Sequence, residues 1–372
     1  MEKTKFKTFR KSLFCNNLAF ILFVLPLFNL HSKEIDNPWL QGLDGNRVYV
    51  LYESDNEKDI VVHYRIKNDD SNALMKSSTK FYRKTNYGGN TFVHRILLDD
   101  LKFGTVYEYW IESKKKYEFR VPNKDGEFTF TNMGDNRSGI KIWRQVATNM
   151  ASENPDFMIF NGDLAYKKEY NYWIDEFFVE EAQAMFSKYP FYNSVGNHEK
   201  WNDNSQAFTQ STSISKEPSP YFSFEKGDAL FLILNTEVGV GRNSQQWEFA
   251  TEQLRHSKKK WKIVVFHIPA YSSGAHGENK AMKLMTENIF EKYGVKLILT
   301  GHSHYYQHNL INGIHHMVIG GGGSPLYSPK KASYTINQAK KYHHALVKVN
   351  SERIKFIVKD LNMDIIDEFE IK

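Results

Sequence analysis

Cysteine is the scarcest residue of the 372-residue chain, present once, as Cys15. It precedes the apolar run of residues 18–30, whereas a lipoprotein cysteine would follow such a run, so lipidation there is not expected. A chain cut after the run has no thiol at all, which excludes disulfides, thiolate metal sites and a cysteine nucleophile. Proline is sparse as well, 10 residues beside 22 glycines. With 41% apolar and 25% charged residues, this excludes the collagen-like, low-complexity and disordered classes. Long hydrophobic runs are also missing: residues 18–30 are interrupted by Pro26 and Asn29 and are short for a membrane span. Preceded by Lys3, Lys5, Lys7, Arg10 and Lys11, they read as a secretory signal peptide over residues 1–32, cut near Ser32 or Lys33. The mature protein is then exported, periplasmic or extracellular, with no stable membrane span; an uncleaved anchor is the alternative. A basic surface is missing too. The formal charge is +6, but removing those five basic residues and Glu2 from 49 basic and 43 acidic residues leaves 44 and 42. Nucleic acid is therefore not expected as a partner.

What is present falls into two patterns. From residue 46 to about 130, strand follows strand with short polar breaks: RVYVLYES, DIVVHYRI, TKFYR, TFVHRILL, TVYEYWIES, KYEFRV and EFTF. Short alternating strands of this number predict a small β-sandwich over residues 34–124. Residues 101–109, including Tyr107 and Tyr109, resemble the tyrosine corner of fibronectin type III domains, where the Tyr hydroxyl bonds back to upstream backbone. His63 and His94 lie in strand patterns and are expected at a surface or interface. After a linker at 122–126 the pattern becomes α/β, defining a second domain over residues 127–372. Helical spacing over 142–152, 172–187, 245–257 and 279–293 alternates with the buried-strand runs FTFTNM, DFMIF, ALFLILN, KIVVF and VKLILT. The strands HHMVIG, ALVKV, RIKFIV and DIIDEFEI close the chain, as a second sheet or a sheet edge packed on the first.

Five of the apolar strands run into a polar residue able to bind a metal. Asp135 follows NMG, Asp163 follows FNG, Asn197 and His198 follow SVG, His267 follows VVF, and His302 and His304 follow LTG. Sites in open α/β sheets form at the carboxyl ends of strands, and a glycine just before the functional residue permits a sharp turn and close approach. Asp135, Asp163, Asn197, His267, His302 and His304 are more donors than one ion takes. Two neighbouring ions need a shared ligand, and a carboxylate such as Asp163 can bridge them. Without thiolates the set suits iron, zinc or manganese in a hydrolytic site. Such a pair can bind the oxygens of a phosphate ester, stabilise an in-line transition state and hold a hydroxide made acidic by coordination. The pattern reads as phosphoester hydrolysis without a covalent intermediate.

The motifs Gly134-Asp135, Gly162-Asp163-Leu164-Ala165-Tyr166, Gly196-Asn197-His198-Glu199, Val264-Val265-Phe266-His267 and Gly301-His302-Ser303-His304 resemble, in order and spacing, the five blocks of the calcineurin-like metallophosphoesterases. Tyr166, three residues after Asp163, marks the resemblance to the purple acid phosphatases, and it covers nearly the whole mature chain. The resemblance implies a fibronectin type III-like sandwich before a catalytic domain of two sheets flanked by helices. It implies that Asp135, Asp163, Tyr166 and His304 hold a ferric ion, and that Asp163, Asn197, His267 and His302 hold a divalent ion, zinc, iron or manganese. His198 would contact substrate and assist the leaving group, and His276 aligns with a substrate-binding histidine. The chain departs from the family at Arg137, where the first motif usually has glycine. A guanidinium there would make a phosphate clamp and alter which esters fit.

The expected substrate is a small phosphate monoester. A phosphodiesterase or nucleotidase using the same metals is the alternative, and a surface binding protein with a degenerate phosphatase domain is the alternative of another class. Oligomeric state is not legible. His308, His315, His316, His343 and His344 are expected in surface or supporting roles, and the Gly320 to Gly323 run is no nucleotide-binding loop, since no Lys-Ser or Lys-Thr follows it.

Overall fold

The computed structural model describes residues 35, 37–55, 58–69, 73–77, 79–84, 90–111, 115–208, 219–274 and 276–372. The signal peptide read at residues 1–32 lies outside them, and no helix among the described residues is long and apolar enough to cross a membrane.

Alternation along the central strands decides the layering. In Ala229–Ile233 and Trp261–Val265, the residues Phe231, Ile233, Ile263 and Val265 enter one apolar cluster, while Leu230, Leu232 and Val264 enter another. Successive side chains leave a strand on opposite faces, so this sheet is covered on both sides. One cover is the helices Gln245–His256 and Lys280–Met285, through Ala250, Leu254, Met282 and Met285. The other is a second sheet, whose Phe130 and Phe157 meet Phe231 with ring centroids 5.4 and 5.7 Å apart. Beyond that sheet lies the helix Ile140–Ser152, burying Trp143, Val146 and Met150. The layers are helix, sheet, sheet, helix, as the resemblance implied.

Among the described residues the first sheet has seven strands, with Ala229–Ile233, Trp261–Val265, Leu297–Thr300 and Ile314–Ile319 parallel. The second has ten, with Phe128–Met133, Phe157–Phe160 and Phe191–Asn193 parallel at its centre. The C-terminal strands divide. Ile314–Ile319 joins the first sheet, whereas His343–Val349, Ile354–Asp360 and Ile365–Ile371 form an edge of the second.

The other edge of the ten-stranded sheet belongs to the N-terminal sandwich: Trp39–Asp44, Arg47–Ser54, Asn90–Leu98 and Thr79–Lys84. A four-stranded sheet of Leu74–Ser77, Val61–Ile66, Thr105–Ile111 and Tyr117–Val121 completes it. Tyr107 makes the tyrosine corner, its hydroxyl accepting from the Lys102 amide at 2.9 Å. Three sequence readings are corrected. EFTF is no sandwich strand, since Phe128–Met133 pairs with Phe157–Phe160 and His343–Val349. Trp39–Asp44 was missed because WLQGLD does not alternate; five of its six residues are buried, and Gln41 pairs with Phe191 in parallel register. The helix read over 172–187 is broken, because Phe177 and Phe178 are both buried, and a five-residue turn, Trp173–Phe177, precedes a separate helix, Glu180–Phe186.

His94 is buried against Ser54, and His63 stacks on Trp110 at 5.6 Å. His308, His316, His343 and His344 are buried too. His316 packs edge-on against Tyr271, 4.9 Å between centroids, and its Nε2 has no hydrogen-bond partner among the described residues. Burial first, then the neighbouring His315, pushes it down from 6.5 to about 3. The folded state therefore favours the neutral ring: this contribution is fully present above pH 6.5 and is lost as pH falls from 6.5 toward 3. The slope reaches about 1.4 kcal/mol per pH unit. His316→Leu should flatten the dependence of Tm on pH between 6 and 4; a slope equal to wild type would contradict this.

Candidate metal centre

Each candidate donor stands just past the carboxyl end of a parallel strand. Asp135 follows Phe128–Met133, Asp163 follows Phe157–Phe160, Asn197 follows Phe191–Asn193, His267 follows Trp261–Val265, and His302 follows Leu297–Thr300. Because the two sheets are packed face to face, these ends converge. Asp135, Asp163 and His302 have φ of 64, 55 and 66°, so the donors themselves, and not only their glycines, take up the left-handed turn. Glycine is needed for close approach. A Cβ at Gly196 would overlap the amide nitrogen and Oδ1 of Asp163, and one at Gly301 would press on Asp135 Oδ2.

Among the described residues two groups of donors result, with ligand atoms within 4.8 Å of one another: Asp163, His267 and His302, and Asp135, Asp163 and His304. Asp163 is common to both. In the first group, Asp163 Oδ1 lies 3.2 Å from His267 Nε2, which lies 3.1 Å from Asn197 Oδ1, which in turn lies 2.9 Å from His302 Nδ1. In the second, His304 Nε2 is 3.5 Å from Asp135 Oδ1. Donors held 2.0–2.2 Å from one ion at near right angles are about 3 Å apart, so these spacings fit a shared ion.

The histidine tautomers fit as well. His267 Nδ1 donates to the Asn161 carbonyl at 2.7 Å, and His304 Nδ1 donates to the Pro325 carbonyl at 2.9 Å. A carbonyl only accepts, so in each neutral ring Nε2 presents its lone pair to the cluster. At His267 that lone pair faces two oxygens, an arrangement that calls for a positive charge. In the metal-free chain a proton supplies it: burial pulls His267 down, but the Asp163 carboxylate outweighs this and raises it to about 10. Burial opposes ionisation of Asp163, yet His267, Arg137 and His198 together hold it below the usual carboxylate range. His302 is pushed down to about 3, by burial and then by His267.

The remaining candidates surround this cluster. His198 Nδ1 donates to the Tyr166 carbonyl at 2.8 Å, leaving Nε2 3.9 Å from Asp163 Oδ2. The Tyr166 ring stacks on His198 at 5.3 Å and is 40% exposed. His276 is exposed, with its ring 4.7 Å from that of His302 and 6.4 Å from that of His304. Burial, then His304, keeps His276 below the ordinary imidazole range. Arg137 is buried against Asp163, its Nε donating to Oδ2 at 3.0 Å, so it is not turned to solvent.

The sequence reading missed several supporting groups. Glu199 is fully buried, and its Oε1 accepts the amides of Gly196 at 2.7 Å and Asp163 at 3.0 Å, clamping two donor loops together. Burial, then the nearby Asp163 charge, raises it to about 8. Asn161 ties the sheets, donating to the Thr300 carbonyl at 3.0 Å. Tyr327 stacks on His304 at 4.4 Å. The glycine run backs Asp135, with the Gly322 amide donating to the Gly134 carbonyl and the Ser324 amide to that of Asp135. Asn161 carried no sequence signal; Glu199 was adjacent to His198 and carried one.

Comparison with known proteins agrees with this architecture. The calcineurin-like phosphoesterase family matches residues 129–306, and the purple acid phosphatase N-terminal domain matches residues 38–132. An Fe(3+)-Zn(2+) purple acid phosphatase 12 of Arabidopsis thaliana is 27% identical over 295 residues, 68% of this chain and 61% of that protein. A phosphoenolpyruvate phosphatase of Allium cepa is 27% identical over 266 residues, 63% of this chain and 54% of its own. The match thus spans less than two thirds of these relatives. The solved structure of a purple acid phosphatase from yellow lupin (Lupinus luteus) seeds shares the fold, with a TM-score of 0.76 at 18% identity over 90% of this chain and 74% of that one. With both family matches adjoining on one continuous fold, the chain belongs to the calcineurin-like phosphoesterases, in the purple acid phosphatase branch.

Proposed function

We propose that the chain is an exported phosphatase that hydrolyses small phosphate monoesters at a two-metal centre. The observation that carries this is the sharing of Asp163 between two donor groups at the meeting of two sheets. Asp135, Asp163, Tyr166 and His304 would hold a ferric ion, and Asp163, Asn197, His267 and His302 a divalent ion, in keeping with the iron and zinc in the name of the Arabidopsis relative. Bound there, the pair would supply Lewis acidity toward phosphate oxygens and lower the pKa of a coordinated water.

The chain's own residues would do the rest. His198, held by the Tyr166 carbonyl and facing Asp163, would hydrogen-bond the substrate and pass a proton to the leaving alkoxide. His276, next to His302 and reachable from solvent, would bind a phosphate oxygen as it enters. Arg137 offers a forked donor set that matches phosphate. Diester and nucleotide hydrolysis use the same centre and differ in the surrounding walls. The binding-protein reading has one observation behind it, the guanidinium of Arg137 among the donors. Export follows from the basic and apolar pattern of residues 1–32.

The test joins metal analysis with hydrolysis of one phosphomonoester and one phosphodiester. Two metals per chain and preferred monoester turnover are expected; metal-free, inactive protein would favour the binding reading. Colour tests the iron ligand. A phenol ordinarily titrates near pH 10, but on ferric iron it is a phenolate at neutral pH, and charge transfer from it absorbs visible light. Iron-loaded protein should be pink to purple, and Tyr166→Phe, which removes one oxygen and little volume, should bleach it. A band that survives the substitution would remove Tyr166 from the ligand set.

A further inference from the structure

Arg137 stands where the family's first motif usually has glycine, and its backbone is held from both sides. Its amide donates to the Asp163 carbonyl at 3.4 Å, and its own carbonyl accepts from Ser324 Oγ at 3.0 Å. The side chain is 11% exposed and runs inward. Nε donates to Asp163 Oδ2 at 3.0 Å, a terminal guanidinium nitrogen lies 3.5 Å from His304 Nε2, and Cζ is 5.7 Å from the centre of the Tyr166 ring. Since His304 Nδ1 is committed to the Pro325 carbonyl, the nitrogen facing the guanidinium is the one with the lone pair. Three of the four groups assigned to the first ion, Asp163, His304 and Tyr166, thus face the same cationic side chain. The groups of the second ion are arranged differently: His267 Nε2 and His302 Nδ1 both contact Asn197 Oδ1.

We propose that Arg137 is the resident cation of the first metal position. It draws Asp163, His304 and Tyr166 together when no ion is bound, it must swing aside when one binds, and it makes the first site the weaker and later to fill. The proposal rests on the two-ion reading. Its physical basis is that an arginine carries a permanent positive charge and competes with a metal for the same carboxylate and the same imidazole lone pair. Two cations a few ångström apart in a water-poor site repel, so loading must move one of them. Among the described residues, no arginine or lysine contacts His267, His302 or Asn197, which with the shared Asp163 make up the second site.

Titration calorimetry with Zn²⁺ on the metal-free full-length protein, with dialysed metal content as a check, tests this. Wild type should take one ion tightly and a second at least tenfold more weakly. Arg137→Gly, which restores the family residue, should strengthen the weak site tenfold or more and leave the tight one unchanged. Arg137→Gln keeps a donor for Asp163 at the place of Nε, without the guanidinium and its charge, and should do the same, so a loop loosened by glycine would not obscure the answer. Two sites in wild type with the same pair of affinities in both variants would overturn the role of Arg137 and leave the two-ion reading standing. A single site in wild type and in both variants would overturn both.

Discussion

Asp163→Ala is expected to lower phosphomonoester turnover on the order of 10³-fold or more and to remove at least one metal from the purified protein. The loss should exceed the roughly 10–100-fold typical of residues that only orient a ligand, because Asp163 is the point at which both donor groups meet. Its Oδ1 accepts the His198 amide at 3.1 Å and faces His267 Nε2 at 3.2 Å, while Oδ2 accepts from Arg137. Alanine leaves His267 and Arg137 without their common counter-charge, and two cations brought into the same space would repel. Asp163→Asn keeps the volume and one acceptor but not the charge, so it separates the electrostatic part from packing. Elemental analysis alongside kcat is the measurement. A variant with two bound metals and near-normal kcat would end the assignment of Asp163 as the shared ligand.

Trp39→Ala is expected to cost about 3–5 kcal/mol of folding stability, among the largest effects of a single core truncation. Trp39 is fully buried where the N-terminal sandwich meets the catalytic layers, packed on Phe178 at 5.2 Å and Phe208 at 6.2 Å. Its Nε1 donates to the Phe208 carbonyl at 3.2 Å, and Gln41 Nε2 donates to the same oxygen at 2.9 Å. Tyr109 of the sandwich reaches the Ser187 carbonyl at 2.7 Å. All candidate metal donors lie at or beyond Asp135, so we propose that the sandwich supplies stability and no ligand. In that division of labour Trp39→Ala lowers the urea midpoint while metal content without urea is unchanged. A cost below about 1 kcal/mol would mean that the two parts are independent, and a chain starting at Glu127 should then fold by itself.

The donors were legible in the sequence because each follows its strand within a few covalent neighbours, and because glycine before Asp163, Asn197 and His302 is required where another backbone or carboxylate comes close. The sandwich was legible from alternation, except in Trp39–Asp44, which is buried almost throughout and so carries no alternating signature. The break at Phe178 was not legible, since its apolar spacing continues that of a helix; what ends the helix is the burial of two consecutive phenylalanines. Nor was the contact of Arg137 with His304, 167 residues apart in the chain.

Sequence alone determined the kinds of donor, their order, the absence of any thiol beyond residue 15 and the succession of strands and helices, all of which depend on local pattern and composition. Tertiary structure alone decided which candidate donors stand close enough to share an ion, which nitrogen of each histidine is offered, where Arg137 puts its charge, and that the sandwich continues the catalytic sheet through Gln41 opposite Phe191. The physical reason is that distances between strand ends are set by sheet register and by how two faces pack. Those arise from many weak apolar contacts between residues far apart in the chain, and no short stretch of sequence encodes them.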